Sequence, residues 1–371
     1  MKKFVPAIIF LLLILINSIF TGCIEEDDCE DDHSLDVIDH RDFQMGFSTW
    51  SFGPDLEDRQ DTYKFISENA DVYSEQIDNH IPWNSYIDNT TLPEEFTDDI
   101  SYRVSKKLSN HDLILSISFL NMDRSDILDD YQGNTPEYEK LNDLIIEDAY
   151  FSHVSYLIDQ FDPDYLILAM EVNELYLASL EKWEEYKLLM SSVRTRIKER
   201  FPNLLLSESV TLHNWFNPDI ENREEYISEI SSYVNQLDFV SVSFYPFLKG
   251  LKNKTDFQQA FDFLHDQVEK PIAFVETAHI AEPLIIPNLN VYILSNVCDQ
   301  QYYLESILLN AYEQEYSFLI WWTFHDFDEL WETFPEELKD IGKIWRDTGL
   351  LNENGEQRPA FTIWEKIFSI S

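Results

Sequence analysis

Basic residues are scarce in this chain. It has 26 Lys and Arg against 70 Asp and Glu, which gives a formal net charge of −44 at pH 7. Because cations that replace counterions are what bind a phosphate backbone, this balance excludes nucleic acid as a partner. It also disfavours an acidic polysaccharide as a ligand, whereas a neutral ligand meets no such repulsion.

Glycine and cysteine are also few, at eight and three residues in a chain of 371. No glycine-rich phosphate loop follows the first predicted strand, which disfavours an open, doubly wound nucleotide-binding sheet. The cysteines and histidines lack the spacing of a zinc site, and we expect neither a metal nor a cofactor. Cys29 and Cys298 could form one disulfide in an oxidising compartment, but nothing in the sequence requires it.

The N-terminus has the form of a secretory signal. A positive start at Met1–Lys3 is followed by an almost wholly apolar run, Phe4–Phe20, and then by Thr21-Gly22-Cys23. Residues 19–23 resemble a lipobox, which implies cleavage before Cys23 and attachment of lipid to its sulfur. An uncleaved signal anchor is the alternative, and both place the rest of the chain outside the membrane.

An acidic segment separates this signal from the rest of the chain. Ten acids and one base, Arg41, lie between Glu25 and Asp42, and a run of like charges repels itself and stays disordered. The sequence therefore predicts three parts: a signal peptide over residues 1–22, a lipidated and disordered tether over residues 23–42, and one folded domain over residues 43–371.

Short runs rich in β-forming residues alternate with longer amphipathic runs after residue 42. Such alternation predicts βαβ units around a parallel sheet, and eight units is the number in a closed (β/α)8 barrel. We therefore predict a single TIM barrel of the α/β class, with an open doubly wound sheet as the alternative. The predicted strands are Phe43–Trp50, Val72–Asp78, Leu113–Leu120, Tyr165–Val172, Leu204–Val210, Phe239–Phe244, Ile272–Val275 and Phe318–Thr323.

Two glutamates directly follow apolar strands. Glu174 ends the fourth predicted strand and Glu276 ends the seventh. Reactive groups of such barrels lie at the carboxyl ends of the strands, so we expect the two carboxylates to meet across the barrel mouth, about 5 Å apart, as in a double-displacement glycosidase. Glu171 lies on the same fourth strand, but the alternation of strand side chains predicts that it points toward the helices or a neighbouring strand.

Five segments then resemble the clan A glycoside hydrolases, nearest to the arabinogalactan endo-β-1,4-galactanase family. They occur in the order expected for strands four, six, seven and eight and for the tail after the barrel, and they span most of residues 43–371. The segments are Val172-Asn173-Glu174, residues 238–247, residues 274–278, Ile320-Trp321-Trp322 and residues 348–355.

The resemblance implies roles for individual residues. In the clan, the glutamate that closes the fourth strand is the acid/base, which implies Glu174, and the seventh-strand glutamate is the nucleophile, which implies Glu276. By the same resemblance Asn173 would hold the sugar 2-hydroxyl and Tyr245 would hydrogen-bond the nucleophile. Trp322 would form the floor of the subsite that holds the reacting sugar.

The chain also departs from the family at several positions. The clan has an Arg near the end of the second strand, whereas this chain offers Gln76, Asp78 and His80 there. Val172 replaces the Gly of the galactanases, and Thr323-Phe324-His325 follows the eighth strand where that family has an acidic residue and Pro. These differences leave the identity of the sugar open.

Other side chains near predicted strand ends are candidates for substrate contact, with core packing as the alternative for the aromatic ones. Aromatic faces stack on sugar rings, and polar groups then fix the orientation of the sugar. The candidate substrate-binding residues besides Asn173, Tyr245 and Trp322 are Trp50, Asp78, His80, Asn121 and His213.

Together these features predict a retaining glycoside hydrolase that acts on a β-linked, neutral glycan, either galactan-like or another hemicellulose or oligosaccharide. We expect a monomer without a cofactor, held outside the cytoplasm as a membrane lipoprotein. A catalytically degenerate barrel that binds carbohydrate at the cell surface is the alternative. A two-lobed transporter receptor is disfavoured because the repeated pattern has no midpoint hinge, and an aldolase or isomerase because no convincing Lys, metal or phosphate site occurs.

Overall fold

The computed structural model describes Cys29 and residues 33–370. The predicted signal peptide, residues 1–22, and the predicted lipidation site Cys23 lie outside the described residues. In the part of the chain that is described, no helix combines the length and the apolar character that crossing a membrane requires.

The fold is built around a sheet of short strands. These strands are β1 (Gln44–Ser48), β2 (Val72–Ile77), β3 (Asp112–Ile117), β4 (Tyr165–Ile167), β5 (Leu205–Ser207), β6 (Ser209–Thr211), β7 (Val240–Phe244), β8 (Ile272–Thr277), β9 (Leu284–Ile286), β10 (Val291–Ile293) and β11 (Phe318–Trp321). Nine of them form one sheet in the order β5-β4-β3-β2-β1-β11-β8-β7-β6, with parallel pairing throughout. The other two, β9 and β10, pair as an antiparallel hairpin.

The two outermost segments of this sheet, β5 and β6, are consecutive pieces of one strand. Only Glu208 separates them, and β5 pairs with β4 while β6 pairs with β7. Hydrogen bonds from Ser209 N to Ala169 O and from Val172 N to Ser209 O continue the contact with the β4 segment. The nine segments therefore form eight strands closed on themselves, and the predicted barrel is confirmed.

Helices follow the strands and pack around the barrel, because parallel neighbours need crossover connections. Their buried faces and the outward sides of the strands form one large core, and a smaller apolar cluster fills the barrel interior. Short 3₁₀ turns occur at Ser34–Val37, Pro246–Lys249 and Pro287–Leu289. The helices are α1 (Leu56–Asn69), α2 (Trp83–Ile87), α3 (Glu94–Ser105), α4 (Leu144–Phe161), α5 (Asn173–Ala178), α6 (Leu180–Arg200), α7 (Leu212–Phe216), α8 (Arg223–Val234), α9 (Lys254–Gln267), α10 (Val297–Glu313), α11 (Asp328–Glu332), α12 (Glu336–Arg346) and α13 (Pro359–Phe368).

The barrel interior is narrow and of mixed character. Apolar residues such as Val72 and Phe318 fill part of it, and small serines pair across strands elsewhere, for example Ser207 with Ser241 at 2.9 Å. Interior positions alternate along each strand with positions that face the helices. The direction of a side chain at a strand end therefore depends on whether the backbone keeps or breaks this alternation.

Residues 33–42 differ from the disordered tether that the sequence predicts. Leu35 and Ile38 are buried, and the short helix that contains Leu35 contacts α10. Cys29 forms a disulfide with Cys298 at the start of α10. Two apolar side chains within an acidic segment, together with this covalent link, hold the segment on the barrel, so the folded body begins before the predicted boundary.

Candidate active site

Glu276 faces the barrel interior because β8 changes register just before it. Val242 of β7 pairs with Phe274, but the next residue, Ser243, pairs with Glu276, so β8 carries one extra residue at this point. A bulge of this kind re-aims the side chains that follow it. Val275 already belongs to the interior cluster, and the extra residue lets Glu276 face inward as well, where strict alternation would turn it outward.

Two donors hold the Glu276 carboxylate. The Tyr245 hydroxyl donates to Oε1, as the family resemblance implies, and Gln76 Nε2 donates to Oε2 at 2.9 Å. Of the three residues that the sequence offers at the end of the second strand, Gln76 is the one that contacts the Glu276 carboxylate. Burial raises the pKa of Glu276 to about 8, and the negative charge of Glu171 adds to this effect.

Glu171 is the second carboxylate of the site. Its backbone is left-handed, with a φ of 55°, a conformation that breaks strand alternation. Arg124 donates to its Oε2 from Nη2 at 2.8 Å and from Nε at 3.1 Å, and Ser243 Oγ donates to its Oε1 at 2.8 Å. Burial acts to raise the pKa of Glu171, but the charge and hydrogen bonds of Arg124 outweigh burial and lower it.

The hydrogen bond from Ser243 brings the Glu171 carboxylate toward Glu276. Ser243, which binds Glu171, is also the register partner of Glu276 on the adjacent strand, and adjacent strands lie about 4.8 Å apart. The two carboxylates are therefore neighbours across the barrel mouth. This corrects the expectation that Glu171 points toward the helices or a neighbouring strand, because that expectation assumes regular alternation and the residue is left-handed.

Glu174 is bonded to a different strand from the one that holds Glu171. Its Oε1 accepts from Asn214 Nδ2 at 2.7 Å and from the Thr211 hydroxyl, and Thr211 belongs to β6, two strands from β8. The carboxylate whose negative charge acts on Glu276 is that of Glu171, so the contacts place Glu171 rather than Glu174 at the short separation that suits a retaining pair. Burial raises the pKa of Glu174. The structure therefore brings Glu276 together with Glu171 rather than with the partner that the sequence predicts.

Asn173 has no free hydrogen-bonding group to offer a sugar. The residue is fully buried. Its Nδ2 donates to the Tyr226 hydroxyl at 2.8 Å and to Thr211 Oγ1 at 3.0 Å, and its Oδ1 accepts from Thr211 N at 2.8 Å. The expected contact with a sugar 2-hydroxyl is therefore corrected: Asn173 opens α5 and ties this helix to β6. The residue directly before the inward-facing Glu171 is Met170, so no asparagine precedes this glutamate.

Trp50 and Trp322 form an aromatic wall beside the ends of β1 and β11. Their ring centroids lie 5.3 Å apart, and both indole N–H groups are buried without a hydrogen-bond partner among the described residues. Trp50, Gln76 and Asp78 line a cavity of about 280 Å³, and burial raises the pKa of Asp78. Trp50 and Asp78 therefore offer an aromatic face and a hydroxyl acceptor in the cavity that Gln76, bonded to Glu276, also lines.

Three other predicted contact residues have different surroundings. His80 is exposed and packs edge-on against the ring of Tyr131, with centroids 5.3 Å apart. Asn121 Oδ1 accepts two backbone N–H groups of its own loop, at 3.0 and 3.2 Å, so it holds the loop together. His213 is buried, and burial lowers its pKa to about 4, although the charge of Glu171 opposes the shift. Its ring is therefore neutral near pH 7.

Sequence reasoning missed Arg124 and misjudged Glu171. Arg124 is one of only 26 bases in an acidic chain, and it follows the end of the predicted third strand by four residues, which is a signal that could have marked it. No comparable signal marks the backbone of Glu171, because the residues that usually adopt a left-handed conformation are Gly, Asn and Asp.

Two acidic groups of the described residues have ligand atoms close enough together for a metal ion, and both include Asp326. Arg358 donates to the two oxygens of Asp326 at 2.8 and 2.7 Å, and Arg346 forms ion pairs with Asp328 and Asp347. Four of the five carboxylates in these two groups, all but Glu353, therefore have a guanidinium partner.

Several solved structures share this fold. The GH5_18 protein of Bifidobacterium longum subsp. longum, solved as a variant in complex with Manβ1-4GlcNAc, is 14% identical with a TM-score of 0.63, over 88% of this chain and 78% of that chain. The GH53 catalytic domain of Ignisphaera aggregans is 16% identical with a TM-score of 0.58, over 89% and 96% of the two chains. Xylanase 10B of Thermotoga maritima is 12% identical with a TM-score of 0.57, over 88% and 95%. No family model and no curated protein sequence matches the chain, so at these identities the likeness concerns the barrel fold.

Proposed function

We propose that the protein is a retaining glycoside hydrolase that acts on a β-linked, neutral glycan, with Glu276 as nucleophile and Glu171 as acid/base. One observation carries the proposal: Glu276, held by Tyr245 and Gln76, lies one strand from the residue that binds Glu171. Carboxyl groups about 5 Å apart suit double displacement. The family resemblance implies Glu174 as the acid/base, but that residue is bonded to a more distant strand.

The two carboxyl groups would act in sequence. In the first step, protonated Glu171 gives its proton to the glycosidic oxygen while an oxygen of Glu276 attacks the anomeric carbon, so the glycosidic bond breaks and a glycosyl ester forms. In the second step, the Glu171 carboxylate takes a proton from a water molecule as the water oxygen displaces Glu276. The sum is hydrolysis with retention of configuration, and both carboxyl groups return to their starting states.

The charges around the pair set its protonation. Because the pKa of Glu276 is raised to about 8 and that of Glu171 is lowered, the pair carries one proton near neutral pH, and such interacting groups titrate as a unit. The reactive form has the proton on Glu171 and the negative charge on Glu276. Tyr245 and Gln76 favour this form by donating to Glu276, whereas Arg124 opposes it by favouring the charge on Glu171.

A neutral glycan fits the surroundings of the pair. The net charge of −44 repels polyanions, and the cavity lined by Trp50 and Asp78 offers an aromatic face and a hydroxyl acceptor. Among the proteins that share the fold, one holds Manβ1-4GlcNAc and another is a xylanase. For this chain we propose only that the substrate is a β-linked, neutral glycan. The candidates are a galactan-like glycan, another hemicellulose or an oligosaccharide.

We further propose that the protein is a monomer held on the outer side of a membrane by lipid on Cys23. The apolar run Phe4–Phe20, the small residues before Cys23 and the acids that follow support this placement. Mass spectrometry of the protein from its membrane fraction tests it. We expect loss of residues 1–22 and an added acyl mass on Cys23, and a Cys23→Ala variant should show neither change.

The catalytic proposal is tested with aryl β-glycosides of galactose, mannose, glucose and xylose, offered to the parent and to Glu276→Ala. We expect the parent to release sugar of retained configuration, followed by proton NMR, and the variant to lose at least about a thousandfold in turnover with an unchanged circular dichroism spectrum. Azide should restore turnover of the variant as a glycosyl azide of inverted configuration. Inversion by the parent, or full activity of the variant, would contradict the proposal. A parent that binds sugars but turns over no member of the panel would favour the degenerate carbohydrate-binding barrel.

A further inference from the structure

The hairpin that follows β8 exposes a stripe of apolar side chains. Ile285, Leu289, Tyr292 and Leu294 are 45, 45, 62 and 69% exposed. Ile285 and Tyr292 are cross-strand partners in the β9–β10 pair, so their side chains project from the same face, and Leu294 lies two residues beyond Tyr292. We call residues 284–294 the apolar hairpin.

Charge is absent from this part of the chain. Residues 283–298 include no Asp, Glu, Lys or Arg in a chain of which 26% of the residues are charged. The described part of the chain has twelve exposed large hydrophobic residues, and four of them lie in the ten residues 285–294. Single exposed apolar residues are ordinary, whereas a cluster of them marks a surface that another body covers.

The N-terminal segment is bonded to the protein next to the apolar hairpin. Cys298, four residues after Leu294, lies in the first turn of α10 and is joined to Cys29. Near the other end of α10, His40 contacts the ring of Tyr312, so the segment lies along this helix. Cys29, the first described residue, is therefore joined to the helix turn that directly follows the hairpin.

The length of the chain that precedes Cys29 limits the distance of Cys29 from a membrane. The predicted lipid site, Cys23, is six residues before Cys29, and six residues span at most about 21 Å. If the uncleaved run Phe4–Phe20 is the attachment instead, the nine intervening steps span at most about 32 Å. Either form of attachment keeps the apolar hairpin close to the bilayer.

We propose that the apolar hairpin docks on the surface of the lipid bilayer, with Tyr292 and Leu294 in its interfacial region. The proposal rests on the proposed membrane attachment and is independent of the glycosidase activity. One lipid chain alone gives marginal binding, and a second apolar contact stabilises it, while the amphipathic ring of Tyr292 suits the interface. The hairpin itself carries no charge, and the two α12 side chains bonded to it, Lys343 and Asp340, have opposite charges, so it meets less repulsion at the head groups than the rest of this acidic chain would. It follows β8, which carries Glu276, so docking would hold one rim of the cleft at the membrane.

Hydroxyl-radical footprinting of the full chain, reconstituted in phosphatidylcholine vesicles, tests the docking. We expect Ile285→Ser/Leu294→Ser to raise the modification of Tyr292 by at least about fivefold over the parent, with both proteins still sedimenting with the vesicles. Because Tyr292 is already 62% exposed in the structure, loss of two neighbours alone cannot raise its accessibility so far. The matched control, Leu144→Ser/Leu188→Ser, changes leucines that are 73 and 63% exposed elsewhere, and it should leave Tyr292 as in the parent.

Three results would overturn the proposal, each for a different reason. Equal modification of Tyr292 in the parent and the hairpin variant would show that lipid does not cover the hairpin. Tyr292 of the parent could instead lose its protection when the protein is diluted at constant lipid concentration. That result would identify a second copy of the chain, rather than lipid, as the body that covers the hairpin. Failure of the parent to sediment with the vesicles would remove the membrane attachment itself while leaving the catalytic proposal intact.

Discussion

Replacing Glu171 by Gln removes a proton donor and a negative charge from the site while keeping the shape of the side chain. General acid–base catalysis contributes roughly a hundredfold to ten-thousandfold, so we expect a loss of that size on alkyl glycosides, whose leaving groups need a proton. Dinitrophenyl glycosides have leaving groups that depart without one, and their cleavage should be far less affected. Glu174→Gln, three positions away, is the matched control and should retain most of the activity on both substrates.

The pH profile gives a second measure of the same change. Two charges about 5 Å apart interact by roughly 3 kcal/mol at an effective dielectric constant of about 20, which corresponds to roughly two pKa units. The pKa of Glu276 is raised to about 8 in the parent, first by burial and then by the charge of Glu171, so it should fall when Glu171 is replaced by a neutral residue. The parent is active when Glu171 and Glu276 together hold one proton. As pH increases, kcat/KM should therefore rise through the lowered pKa of Glu171 and then fall as pH passes about 8, where the pair loses its last proton. The variant on a dinitrophenyl glycoside needs only charged Glu276, so its rate should rise through this lowered pKa and stay level at higher pH, where the parent loses activity.

Steady-state kinetics of the two variants on both classes of glycoside, from acid to alkaline pH, make this measurement. Added azide should accelerate Glu171→Gln and yield a β-glycosyl azide, because the anion needs no general base to attack the glycosyl ester. If Glu174→Gln instead shows the leaving-group dependence and the azide product, while Glu171→Gln keeps full activity on alkyl glycosides, the acid/base role belongs to Glu174. The distance reasoning from strand order would then be refuted.

Three further changes test other parts of the structure. Gln76→Ala removes a donor to the Glu276 carboxylate, so kcat/KM should fall by roughly tenfold or more and the fall in activity near pH 8 should move to higher pH; an unmoved profile would contradict that contact. Asn173→Ala leaves buried partners unsatisfied and should lower the free energy of unfolding by roughly 2–4 kcal/mol in a denaturant titration with kcat little changed, whereas a selective loss of kcat would restore Asn173 to the site. Cys29→Ser opens the disulfide to Cys298 and should lower the free energy of unfolding by roughly 2–4 kcal/mol; reductant should destabilise the parent equally and the variant not at all.

Periodicity sufficed to predict the barrel, because each strand and helix carries its own local pattern. The position of Glu276 directly after an apolar strand likewise marked it, although its inward direction depends on a one-residue bulge that no pattern in the sequence displays. The acid/base candidate was harder to predict, because a single left-handed residue at Glu171 reverses the direction that alternation implies. The pairing of Cys29 with Cys298 joins positions 269 residues apart, and only the path of the segment along α10 brings them together.

The left-handed backbone of Glu171 also bears on how this protein would respond to laboratory evolution. A non-glycine residue in that conformation costs roughly 1–2 kcal/mol, and glycine at the same place would not incur this cost. Screening a mutant library for heat resistance alone would therefore select variants that lack the carboxyl group at position 171, and the most stable variants would be inactive. Engineering for durability would have to hold this position constant and seek its gains elsewhere in the barrel.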